Sequence, residues 1–108
     1  MLQQAFSDGG GIAIPGFNSL AFAANQTTQK VNFYNPEIND CLFQLVLLIE
    51  DVPVWESENI LPGQGFYEIE LDEPLQTGEY SACLKVNCFS ADGEPLNSAT
   101  VEFELIVQ

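Results

Sequence analysis

The stretch Gly65-Phe66-Tyr67-Glu68-Ile69-Glu70-Leu71-Asp72 decides the fold class. Tyr67, Ile69 and Leu71 alternate with Glu68, Glu70 and Asp72. A period of two residues marks a strand with one face in a core and the other in water. The alternation predicts Tyr67, Ile69 and Leu71 facing inward and the three carboxylates facing outward.

The same period recurs on both sides of this stretch. Residues 98–107 place Val101, Phe103 and Leu105 on one face and Glu102 and Glu104 on the other. Residues 80–89 align Tyr80, Ala82, Leu84, Val86 and Cys88. Residues 41–49 are apolar nearly throughout, and the odd positions Cys41, Phe43, Leu45, Leu47 and Ile49 form one unbroken face. Helix caps are missing there, and Glu50-Asp51 reads as a hairpin turn into a strand over 53–57. Upstream, Val31 and Phe33 share a face before the turn signal Asn35-Pro36. Leu20 and Phe22, and Ile12 and Ile14 before Pro15-Gly16, repeat the pattern. Pro62-Gly63, residues 75–78 and Asp92-Gly93 supply further breaks. Strands at this spacing without a convincing helix predict an all-β fold. Leu75-Gln76-Thr77-Gly78-Glu79-Tyr80 fits the corner in which a tyrosine hydroxyl turns back to the backbone a few residues upstream. The expectation is an immunoglobulin-like β-sandwich of about seven or eight antiparallel strands, with Tyr80 as its structural corner.

With 108 residues the chain is expected to form one domain. It carries 16 acidic residues against Lys30 and Lys85, has no Arg or His, and has a net charge of −14. Two lysines far apart do not make a phosphate-binding surface, so nucleic acid is excluded as a partner. The same charge opposes an anionic membrane surface. Without histidine the chain lacks the usual general base near neutral pH and the commonest zinc ligand. The charge is uneven, at −2 over residues 1–49 and −12 over residues 50–108. Most acids of the second half alternate with apolar residues, as on a solvated sheet face. No run approaches the roughly 20 apolar residues of a membrane span. Residues 1–8 lack the basic and apolar regions of a signal peptide.

Residues 1–11 end in Gly9-Gly10-Gly11 and read as a flexible N-terminal arm with a glycine hinge, followed by a domain over 12–108. Leu2 and Phe6 of the arm, with Ile12 and Ile14, are apolar anchors of the kind that dock a strand on a neighbouring sheet edge. They are the candidate assembly residues.

Three cysteines leave one unpaired. Cys41 opens one predicted strand and Cys88 lies near the end of another, both on inward faces, whereas Cys83 has the opposite parity. The predicted disulfide joins Cys41 to Cys88 in an oxidising compartment; in a reducing one all three stay thiols. Its long loop would contribute up to about 4 kcal/mol in the chain-entropy model. The loop Asn35-Pro36-Glu37-Ile38-Asn39-Asp40 gathers side-chain oxygens without the spacing of a calcium loop, and turn chemistry explains it as well. Glu68 with Glu70, and Glu102 with Glu104, fall on exposed faces with no implied cleft. Trp55, Tyr34 and Phe89 are the candidate aromatic platform for a sugar or peptide, against packing roles at sandwich edges. Lys30 and Asn97 would make an isopeptide bond only if they met beside a buried acid. No catalytic residue, metal or cofactor is expected.

With these motifs in place, the chain resembles a family of small immunoglobulin-like β-sandwich surface proteins of Gram-positive anaerobes, chiefly Clostridia. The resemblance runs through Ile14-Pro15-Gly16-Phe17, Val31-Asn32-Phe33-Tyr34-Asn35-Pro36-Glu37, Cys41, Trp55-Glu56-Ser57, Ile60-Leu61-Pro62-Gly63, Leu75 to Tyr80 and Cys88, covering residues 12–108. Its individual motifs are structural, and their order carries it. It implies display at the cell surface and transfers no catalytic residues. The expected function is therefore a non-enzymatic, extracellular structural or interaction protein. It would associate with itself or another surface protein, and one form is a filament subunit joined through its N-terminal arm by strand addition. The alternatives are a monomeric surface module binding sugar or peptide, and a virion decoration or tail protein.

Overall fold

The computed structural model describes residues 4–7, 13–16, 19–96 and 98–108, the first two stretches by their strands and pairing alone. The described residues form nine strands and no helix. They are β1 (Gln4–Ser7), β2 (Ala13–Gly16), β3 (Ser19–Phe22), β4 (Thr28–Tyr34), β5 (Leu42–Ile49), β6 (Val52–Glu56), β7 (Gly65–Glu70), β8 (Gly78–Phe89) and β9 (Ala99–Val107). The chain is all-β. A five-stranded sheet has the order β3-β9-β8-β5-β6, β4 pairs with β7, and β1 pairs with β2. One expectation fails here, because β3 runs parallel to β9, with Leu20 opposite Leu105 and Phe22 opposite Val107. The remaining ladders are antiparallel.

The strongest periodicities land where the alternation puts them. Cys41, Phe43, Leu45, Leu47 and Ile49 are all buried, as are Ala82, Leu84, Val86 and Cys88 of β8 and Val101, Phe103 and Leu105 of β9. Val31, Phe33 and Ile69 of the β4–β7 sheet join the same core. Apolar burial of this kind, at about 25 cal/mol per Å², is the main force holding the two sheets together. The β5–β6 hairpin turns through Glu50 and Asp51, both in the left-handed region at φ 52° and 67°. Two such residues in succession match the right-handed twist of the flanking strands. Glu50 also ties the turn to β8, its Oε2 accepting the Ser81 N–H at 2.8 Å.

Tyr67 departs from its expected place. It is 67% exposed, whereas Ile69 and Leu71 are buried as expected. The β4–β7 register shifts between Lys30 and Phe33: Lys30 faces Glu68, but Phe33 faces Phe66. This bulge gives β4 one extra residue and breaks the alternation along β7. Phe66 takes the inward place beside Phe33, and Tyr67 turns to solvent. At the end of the ladder a side chain on Gly65 would meet the Phe33 carbonyl oxygen and Tyr34 Cβ at 2.6 Å, so β7 packs directly on the β4 backbone there.

Two buried amides fasten the ends of β4. Gln29 is 2% exposed. Its Oε1 accepts the Ala23 N–H at 2.8 Å, and its Nε2 donates to the Ala23 and Gln26 carbonyls at 2.8 and 2.9 Å. Asn35, fully buried, does the same at the other end.

Candidate functional site

The end of the molecule where β4 finishes, β5 begins and β8 finishes holds the densest polar network. Asn35 Nδ2 donates to the carbonyls of Cys41 and Ile60 at 2.8 and 3.2 Å, and Asn35 Oδ1 accepts from Asn39 Nδ2 at 2.9 Å. Its backbone N–H donates to the Gln64 carbonyl at 2.9 Å, and its carbonyl accepts from the Gly63 N–H. Asn35 and Asn39 are thus turned inward, spending their polar atoms on linking the 35–41 loop to the 60–64 turn. No group of three or more His, Cys, Asp or Glu side chains with metal-holding geometry occurs among the described residues.

This network carries a rim of exposed apolar side chains. Ile38 is 79%, Leu61 53% and Leu96 45% exposed. Leu61 lies in the turn bonded to Asn35, and the Leu96 N–H donates to the Cys88 carbonyl at 2.8 Å, so all three residues stand on loops at one end. Sequence periodicity overlooks them because each stands in a loop segment with no alternation around it. Isolated loop hydrophobes are common, and only their shared end makes them a surface.

The cysteines occupy two environments. All three are free thiols in this structure. Cys41 and Cys88 are buried on the inward face, and the Cys41 thiol hydrogen-bonds the Cys88 side chain. Burial pushes the Cys41 thiol above its ordinary value of 9.0, against the lowering effect of Cys88. Cys83 lies on the outer face between Leu48 and Glu102 in register. Its pKa is also raised, first by burial and then by the Asp51 and Glu102 carboxylates, with Lys85 opposing.

That outer face of β8 carries shallow, open depressions walled by Glu50, Asp51, Glu79, Glu102 and Glu104. Glu102 and Glu104 sit opposite Cys83 and Ser81. They share no face with Glu68 and Glu70, which belong to the other sheet. No paired carboxylates across a cleft follow from this arrangement.

The three platform aromatics are not brought together. Trp55 packs against Phe33 at 5.9 Å and edge-on to Phe66 at 5.3 Å, filling the seam between the sheets. Tyr34 ends β4 opposite Gly65, and Phe89 lies opposite Leu42 on the five-stranded sheet. No ring contact among the described residues joins any two of the three. Lys30 is exposed, opposite Glu68, rather than beside a buried acid, and Asn97 lies outside the described residues. The Tyr80 hydroxyl donates to the Gln76 carbonyl at 2.8 Å, closing the segment before β8 on itself.

Of the assembly residues, Phe6 and Ile14 are direct partners in the β1–β2 ladder, so part of the arm is paired strand. Leu2 and Ile12 lie outside the described residues. No helix among the described residues is long and apolar enough to cross a membrane. Comparison with family models, curated proteins and solved structures returns no match.

Proposed function

We propose that this chain is a non-enzymatic, extracellular structural or interaction module with an immunoglobulin-like β-sandwich fold, joining copies of itself by strand addition through its N-terminal strands. Two features support the fold reading. A five-stranded sheet and a two-stranded sheet share one core. Tyr80 bonds back to Gln76 ahead of a long strand, as in a tyrosine corner.

The observation that carries the functional reading is the β1–β2 ladder. It is a sheet of two strands paired to no other described strand. Two strands alone are marginal in water, and a third strand from another chain supplies both hydrogen bonds and apolar cover. Residues 1–29 carry Asp8 as their only charge, in a chain of net −14. They are therefore the stretch that can lie against this acidic surface with least repulsion. Head-to-tail repetition of such a contact builds a filament. Surface placement is supported by the resemblance noted above.

Removal of residues 1–11 tests this reading by electron microscopy and light scattering. Loss of assemblies supports it; unchanged assembly overturns it. A second reading, a monomeric module that grips a partner protein with its loop end, is favoured by the exposed Ile38, Leu61 and Leu96. Under that reading the intact chain stays monomeric, and Ile38→Ser with Leu61→Ser abolishes partner binding.

A further inference from the structure

Cys41 and Cys88 stand side by side at the loop end of the core. In the β5–β8 ladder Phe43 faces Cys88 and Leu42 faces Phe89. Cys41, one residue ahead of β5, is therefore the diagonal neighbour of Cys88 on the same inward face. Their exposures are 4% and 1%. Cys41 occupies a bend just outside the ladder, and its thiol already hydrogen-bonds the Cys88 side chain. Cys83 points to the opposite face and reaches neither.

We propose that Cys41 and Cys88 form an inter-strand disulfide that is set while the chain folds, and that the finished core then locks the pair in whichever redox state folding left it. The bond forms by two exchanges with a small disulfide such as oxidised glutathione. One protein thiolate attacks the reagent's S–S bond, giving a mixed disulfide and releasing one reduced thiol. The second protein thiolate displaces the other half. The two protein thiols lose two protons and two electrons, and the reagent's disulfide is reduced to two thiols.

The lock follows from burial. Exchange needs a thiolate that a reagent can reach. In the folded core Cys41 is held in the protonated form by desolvation, and neither sulfur is open to solvent. In the unfolded chain both conditions are reversed. The same shielding protects the formed bond from reducing thiols. This inference is independent of the assembly reading.

Cys83→Ser leaves two cysteines and makes the test direct; the wild-type chain is run beside it. After refolding from urea in mixed oxidised and reduced glutathione, the variant is expected about 2 Da lighter, the mass of two hydrogens. Cleavage after glutamate, which spares the Glu94-Pro95 bond, then joins peptide 38–50 to peptide 80–102 until reductant is added. The oxidised form should melt roughly 10 °C or more above the dithiol form. The native dithiol protein, moved into the same glutathione mixture, should oxidise at least about tenfold more slowly than in urea. Two free thiols after oxidative refolding, or a wild-type bridge through Cys83, overturns the pairing. Native oxidation as fast as oxidation in urea overturns the lock.

Discussion

The Asn35 side-chain amide donates to the Cys41 carbonyl at 2.8 Å from a fully buried position. The same nitrogen reaches the Ile60 carbonyl and the same side-chain oxygen accepts from Asn39, so one residue holds the loop before β5 against the turn before β7. Replacing Asn35 by Ala removes all three bonds and takes the buried donor from the Cys41 carbonyl, while the Ile60 carbonyl keeps the Phe43 N–H. Buried groups left unpaired cost about 1–3 kcal/mol each, so Asn35→Ala is expected to lose about 2–4 kcal/mol. Urea unfolding measures this loss, and a variant as stable as the parent would contradict the role.

Tyr80→Phe removes only the hydroxyl that bonds the Gln76 carbonyl. The expected loss is about 1 kcal/mol, since the residue is half-buried and the bond neutral. An unchanged midpoint in chemical denaturation would show that Tyr80 serves as packing alone.

Asp51 adopts φ 67° in the β5–β6 turn, where glycine carries no penalty. Asp51→Gly is therefore expected to stabilise the protein by about 0.5–1 kcal/mol. A lowered melting temperature would contradict this. Glu50 is the poorer place for the change, because its carboxylate also holds the Ser81 N–H.

In the reduced protein, raised pKa values at Cys41 and Cys83 make stability fall with alkali. Both thiols ionise near their ordinary value of 9.0 when unfolded and at higher pH when folded. Their contribution is thus complete below about pH 9 and is lost as pH rises through the folded values. Glu102→Gln removes a carboxylate facing Cys83, so alkylation of Cys83 in the native protein should begin at lower pH. An unshifted pH profile would show that Glu102 contributes nothing and that burial with Asp51 keeps the thiol protonated.

The fold was legible where period and burial agree. β5, β8 and β9 carry long uninterrupted alternations, and each buried face follows them residue by residue. Tyr67 was misplaced because a bulge on a partner strand more than thirty positions away shifts its register, and no local pattern on β7 records that. The parallel partnership of β3 with β9 is equally non-local. Asn35 and Asn39 look like turn residues in the sequence, yet their partners make them part of the interior, and nothing in the local pattern marks Gln29 as buried. The aromatic grouping of Trp55, Tyr34 and Phe89 failed because residue type does not say which sheet, or which face, a ring will occupy. The apolar loop tips escaped notice because single residues have no period. Cys41 and Cys88 were legible, since parity alone put them on one face.

The mass of the intact chain in solution, followed by light scattering as concentration rises, tests the assembly claim most directly. Strand addition predicts an average mass above the 11.9 kDa of one chain that grows with concentration. A single species at the monomer mass across the whole range would contradict it.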